Sequence, residues 1–330
     1  MKTFLATTGN GIARAEPLDE FTWKVSHLLA GQRVTCLAAD PHEQGAIFAG
    51  TESSGVLRSA DGGRTWQPAG LADQNVKAIQ VSPILPGTVY AGTKPAMIFV
   101  SRDHGQNWQE LPAFRQIPSR RFWFSPAEKP HHAYIQGIAL SPTDEDLILA
   151  GIEAGAVVRS SDGGQTWEDH RKGALRDCHS ITFHHSLGNW AYEGGGTGAG
   201  NAFSQDGGET WTQNRAEKRL TYGWACAADP LDPRIFYFSV SPSPMKAHSQ
   251  DAARAYIFRS EAGGNWVKLG GGLPQPLKHM PYALLTDPAA PGHLYAGLSN
   301  GDVWHTPDHG NTWRRLPLNL GIIHRVMIML

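Results

Sequence analysis

The sequence predicts an all-β chain that closes as a seven-bladed β-propeller of four-stranded antiparallel blades, one domain over residues 1–330. Two observations predict it. A phrase, Ser-x-Asp-x-Gly-x-Thr-Trp, recurs along the whole chain, and the two chain ends supply complementary parts of one blade. Composition agrees: 37 Gly, 22 Pro and only 18% charged residues describe many short strands joined by tight turns.

Good copies of the phrase run from Ser59 to Trp66, Ser101 to Trp108, Ser160 to Trp167, Ser204 to Trp211 and Thr306 to Trp313. The stretch from Ser260 to Trp266 is one residue short and lacks the Asp. An eroded member ends at Phe21, Thr22 and Trp23. The seven tryptophans are spaced by 43, 42, 59, 44, 55 and 47 residues, and a base period near 43 suits a four-stranded blade. The two long spacings locate insertions, at about 112–134 and 241–255.

The rest of each unit repeats too. A first strand ends in a turn such as Asp40-Pro41, Ser82-Pro83, Ser141-Pro142, Asp229-Pro230 or Asp287-Pro288. A second strand follows, as in Ala46 to Gly50 or His293 to Gly297; a third runs into the phrase and a fourth carries the Trp. Residues 3–8, 11–15 and 21–25 read as strands two to four of a blade without a first strand, and 323–330 as a lone strand. Joining them closes the ring and removes an exposed edge.

The phrase resembles the Asp-box (BNR) motif of sialidases, sortilin-like receptors and photosystem-assembly propellers, and the resemblance covers the whole chain. It implies boxes that join third and fourth strands, away from the face that binds ligands. The physics of the motif is structural: the Asp and Ser side chains bond backbone groups within a turn, and the Gly supplies positive φ.

Composition bounds function loosely. A net charge of −1 gives no bias toward nucleic acid, and no apolar run reaches the roughly 18 residues needed to span a membrane. The apolar start, Thr3 to Ala6, is shorter than a signal-peptide core, so a cytoplasmic protein is expected. Cys36, Cys178 and Cys226 form no CxxC pair and read as free buried thiols.

First strands line the channel of a propeller. Aligned on their turns, they give one column of Thr35, Lys77, Gln136, His179, Trp224, Tyr282 and Arg325. The next column is small: Cys36, Ala78, Gly137, Ser180, Ala225, Ala283 and Val326. Strand alternation sends the two opposite ways, and the large column is expected at the channel mouth. Loops after second strands add Glu52, Lys94 and Glu153, with Glu193 nearby. The first insertion holds Arg115, Arg120, Arg121, Phe122, Trp123, Phe124, His131 and His132; the second holds Lys246 and His248. Both are expected to overhang the mouth, as insertions on one face of a repeat array mark its binding face.

Each group also has a structural reading. Arg325, Lys77, Glu52 and Glu153 can be ion pairs in a water-filled channel. Trp224 and Tyr282 can be filler, or a stacking platform for a sugar. His131 and His132 read as a solvated pair, and no HxH or HExxH spacing announces a metal. His184 and His185 fall at the opposite end, and the glycines from Gly194 to Gly200 read as a flexible turn.

Two functions follow. In the first, the mouth is a small-ligand site for a polar, anionic or sugar-like molecule. The sialidase resemblance then implies a glycosidase-like hydrolase, with Arg325, Arg121 and Arg115 as a carboxylate-binding cluster and Glu153 and Tyr282 as acid and nucleophile. The sialidase Phe/Tyr-Arg-Ile-Pro phrase is replaced here by Phe114-Arg115-Gln116-Ile117-Pro118, after the second good box. A hydrolase or lyase with His179 as base and Glu153 as acid is equally open. Ligand contacts are expected from Glu52, Lys77, Lys94, Arg121, His132, Gln136, Trp224 and Arg325, with no metal and no cofactor. In the second, the chain is a non-catalytic scaffold for a peptide or protein, anchored on Arg121 to Phe124.

Overall fold

Seven antiparallel sheets follow one another around a ring, with helix confined among the described residues to three short turns, at Pro112–Gln116, Pro118–Phe122 and Pro244–Ala247. The computed structural model describes residues 2–127, 129–196, 198, 200–261 and 265–330. Part of the shortened sixth phrase and part of the glycine run after Gly194 therefore lie outside the described residues.

The predicted closure is present. Blade 1 is ordered Met327–Met329, Phe4–Thr7, Ile12–Pro17, Trp23–Leu28, so the C-terminal strand is innermost. Met329 opposes Phe4 and Met327 opposes Ala6. The pairing continues beyond the strand, with Thr7 N donating to Val326 O at 3.0 Å and His324 N to Thr7 O at 2.8 Å. The first strands of blades 2 to 7 are Val34–Ala39, Asn75–Val81, Ile135–Leu140, Cys178–Phe183, Tyr222–Ala228 and Pro281–Thr286. Blade 4 departs from the expected count: its sheet has three strands, and a single bridge between Arg159 and Glu168 stands where a fourth would be.

The core lies between blades. Phe48 and Val56 of blade 2 pack with Val76, Val81 and Ala91 of blade 3, all nearly inaccessible to water. Second strands carry glycine where neighbouring blades meet. A Cβ on Gly151 would stand 2.2 Å from Cys178 Sγ, so blade 5 reaches blade 4 only because that position is bare.

Five boxes share one pattern of Ser/Thr and Asp hydrogen bonds, and four of them add a bond from the Trp indole that Trp167 does not make. In the second-blade copy Ser59 Oγ accepts Gly63 N–H and donates to Asp61 Oδ1. Asp61 Oδ1 also accepts Thr65 N–H at 2.9 Å, while Oδ2 accepts the Thr65 hydroxyl at 2.7 Å. The Trp66 indole returns to Gly63 O at 3.1 Å. Asp162 and Asp308 repeat these contacts on Thr166 and Thr312. The eroded first copy keeps a remnant: Asp19 Oδ1 accepts the amides of Phe21 and Thr22.

Two outcomes are expected. Deleting 325–330 removes an inner strand and exposes the edge of Phe4–Thr7, so the truncated chain should lose its cooperative thermal transition or aggregate; a melt equal to that of the full chain would contradict closure. The boxes should also set acid stability. Bonds to Thr312 and Thr306 lower the Asp308 carboxyl to about 2, and those to Asn107 bring Asp103 to about 2. A carboxylate held below its unfolded value of roughly 3.9 contributes stability above that pH and loses it as pH falls toward 2. Melting temperature should therefore drop between about pH 4 and 2, and Asp162→Ala should cost about 1–2 kcal/mol at neutral pH by denaturant titration.

Candidate functional site

Six first strands share an irregularity that places the site. The register slips between Val34 and Cys36, Val76 and Ala78, Ile135 and Gly137, Cys178 and Ser180, Gly223 and Cys226, and Pro281 and Ala283. The residue left out is Thr35, Lys77, Gln136, His179, Trp224 with Ala225, and Tyr282. The large column is thus a ring of β-bulges, which re-aim a side chain and bend the strand. Simple alternation does not separate the two columns as expected, because both line the channel, a cavity of about 480 Å³.

Above it lies the mouth, a cavity of about 750 Å³. Glu52, Lys94, His132, Glu153, Trp224, Tyr282 and Arg325 line it, as expected. Lys77, Gln136 and His179 line the channel beneath rather than the mouth. The residue that organises the cations was not anticipated. Tyr134 is buried, and three cations stand over its ring: Lys77 Nζ and Arg325 at 5.4 Å and Lys94 Nζ at 5.8 Å from the centroid. Arg325 crosses from blade 1 to blade 4, donating to Gln136 Oε1 at 3.1 Å and Tyr134 OH at 3.4 Å. Glu52 partly offsets this charge through Lys77 at 3.3 Å and Arg33 at 3.2 Å.

The aromatic wall is continuous. Trp224 lies 4.5 Å from the His179 ring and 4.8 Å from Tyr282. His248, from the second insertion, bridges two phenols, with Nε2 at 2.8 Å from Tyr222 OH and Nδ1 at 2.7 Å from Tyr282 OH. Burial raises the Tyr282 hydroxyl to about 12, against the phenolate that a tyrosine nucleophile requires.

His179 is buried, and burial pushes its pKa down against the opposing pull of Asp177. Its Nδ1 lies 2.7 Å from Gly223 O, which makes Nδ1 the hydrogen donor and leaves Nε2 toward Glu153 and Asp177. Nε2 to Glu153 Oε2 is 3.8 Å, beyond a hydrogen bond, so the two do not form a tight acid–base couple.

Other expected residues fall elsewhere. Arg121 is exposed and stacks on Phe122 at 4.7 Å, and Arg115 pairs with Glu110; neither lines the mouth. The first insertion divides: Ala127, Lys129, Pro130, His132 and Tyr134 of its later part line the mouth, whereas Phe114, Ile117 and Trp123 are buried against blades 3 and 4. Glu193 is fully buried, accepts Leu175 N–H and is raised to about 8 by burial; it does not line the mouth. The three cysteines are free and buried, as expected. His184 lies at the far end and bonds Asp229 O.

Residues 99–110 match the family model described as BNR/Asp-box repeat. The chain is a seven-bladed β-propeller that carries Asp-box repeats. This propeller is 24% identical over 191 residues to a xyloglucanase of a Paenibacillus species, covering 56% of this chain and 14% of that one. Among solved structures it is similar to the GH74 xyloglucanase from Xanthomonas campestris, with a TM-score of 0.73, 16% identity, and coverage of 94% of this chain and 52% of that one. An ancestral GH74 enzyme gives a TM-score of 0.65 at 19% identity, covering 91% and 39%. YCF48 bound to D1 peptide gives 0.59 at 16% identity, covering 91% and 87%. The Asp-box propeller thus spans about half or less of the length of these glycoside hydrolases.

Proposed function

We propose that the mouth binds an anionic, sugar-like small molecule, and that the protein acts on it as a glycosidase-like hydrolase or lyase. The observation that carries this is the convergence of Lys77, Lys94 and Arg325 on the Tyr134 ring, beside the Trp224–Tyr282 wall. Of these cations Lys94 and Arg325 line the partly enclosed mouth and favour a carboxylate or phosphate, and aromatic faces favour the apolar face of a ring. Similarity to two xyloglucanases agrees with a saccharide. Glu153 lines the mouth and is the group placed to exchange a proton with a bound ligand.

A scaffold that holds a peptide is the second reading. Phe122 and Phe124 are 70% and 53% exposed on the first insertion, and YCF48 carries its D1 peptide on a similar fold.

A thermal-shift screen of neutral sugars, sugar acids and organic acids decides between them. Sugar acids should stabilise the protein more than their neutral counterparts. Calorimetry on the strongest hit should show Arg325→Lys weakening it by about 1–3 kcal/mol, because lysine cannot reproduce a two-point guanidinium contact. Arg121→Ala should leave affinity unchanged. Binding indifferent to both ligand charge and Arg325 would sink the reading.

A further inference from the structure

We propose that Glu153, Asp177 and His179 form a binding site for a divalent metal ion of the zinc or manganese class, at the boundary between mouth and channel. Oxygen and nitrogen donors from the three residues lie within 4.8 Å of one another. Mixed imidazole and carboxylate donors suit these ions.

The spacing argues for an ion between the groups rather than direct contact. His179 Nε2 stands 3.7 Å from Asp177 Oδ1 and 3.8 Å from Glu153 Oε2. Hydrogen bonds from an imidazole close to about 2.7–3.2 Å, so no proton bridges these atoms. Donors bound tetrahedrally to one ion at about 2.1 Å lie about 3.4 Å apart, and the two distances from His179 Nε2 reach that value by contracting a few tenths of an ångström.

An independent observation is the His179 side chain itself, 5% exposed, with Nε2 aimed into the cluster. Its Nδ1 is committed to Gly223 O at 2.7 Å. A backbone carbonyl on the remote ring nitrogen is the usual way a metal-binding histidine is oriented. Asp177 is oriented too: its Oδ1 accepts Ala154 N–H at 3.2 Å, from a residue in the left-handed region at φ 44°. Gly196 closes the cluster, since a Cβ there would stand 1.9 Å from Asp177 Oδ2 and 2.7 Å from His179 Cε1.

Arg325 acts on His179 and its charge opposes the ion, as do those of Lys77 and Lys94, which gather with it around Tyr134. Glu153 also lines the mouth, so positions not filled by protein would face solvent and ligand there. The site does not depend on the sugar-like ligand: metal and ligand are measured separately.

The test titrates the full-length, EDTA-treated protein with Mn2+ followed by electron paramagnetic resonance, then displaces Mn2+ with Zn2+. One ion per chain is expected. Asp177→Asn, which keeps the side-chain shape, and His179→Gln should each weaken binding at least about 100-fold. Glu43→Gln, in the separate Asp40–Glu43–His104 cluster, should leave it unchanged. Should the site variants fail to fold, Zn2+ added to the wild-type protein should perturb the His179 imidazole resonances. The proposal falls if the wild type binds neither ion, if binding survives in folded Asp177→Asn, if it tracks Glu43, or if Zn2+ leaves the His179 resonances in place.

Discussion

The pairing of Met327–Met329 with Phe4–Thr7 holds the rest of the structure in place. An open array of blades would leave two unpaired edges and no defined channel. Closure satisfies both edges at once and forces seven first strands to face one axis. It also joins residues far apart in sequence. Arg325 and Gln136 are 189 positions apart yet 3.1 Å in space, because the last strand of the chain is the innermost strand of its first blade. The site therefore exists only in the closed ring.

Closure alone would give a channel lined by strand edges. What turns those edges into a site is the bulge repeated at one position in six first strands. A bulge re-aims the side chain of its extra residue, so a large or polar group there can be turned toward the channel. That accounts for the contrast between Thr35, Lys77, Gln136, His179, Trp224 and Tyr282 and the small residues that follow them. The small column is fixed by packing: Cys36 fills the space against Gly50, and Ser180 that against Gly194. Burial raises the thiols of Cys36 to about 11 and Cys226 to about 12, which suits filler and not chemistry.

The fold was almost wholly legible because its determinants are local and repeated. Each box is a self-contained turn, and seven tryptophans count the blades. The fourth strand of blade 4 is the shortest, reduced after Trp167 to one antiparallel bridge between Glu168 and Arg159. The site was legible in part. Column alignment found the ring, because a shared turn fixes each position along its strand. It missed Tyr134, which precedes its strand and looks like the end of a loop. It also misplaced Arg121, because an insertion has no repeat to set its register. Which half of it turns inward is decided by Phe114, Ile117 and Trp123 finding a core.

Asp177 shows most clearly why chemistry lags behind fold in such a sequence. It stands just before the strand carrying His179, in a linker with no periodic partner in other blades. Glu153 comes from the preceding blade, after a second strand. Nothing in their spacing along the chain forms a motif, because the contact is made between blades. A propeller keeps its stability in repeated positions and its specificity in the departures from repetition. Here those departures meet at the junction of blades 4, 5 and 6, where Glu153, Asp177, His179 and Gly223 O lie side by side. That junction borders both cavities, Glu153 lining the mouth and His179 the channel, so a ligand held by the cations over Tyr134 would lie beside a place where the ring departs from its repeat.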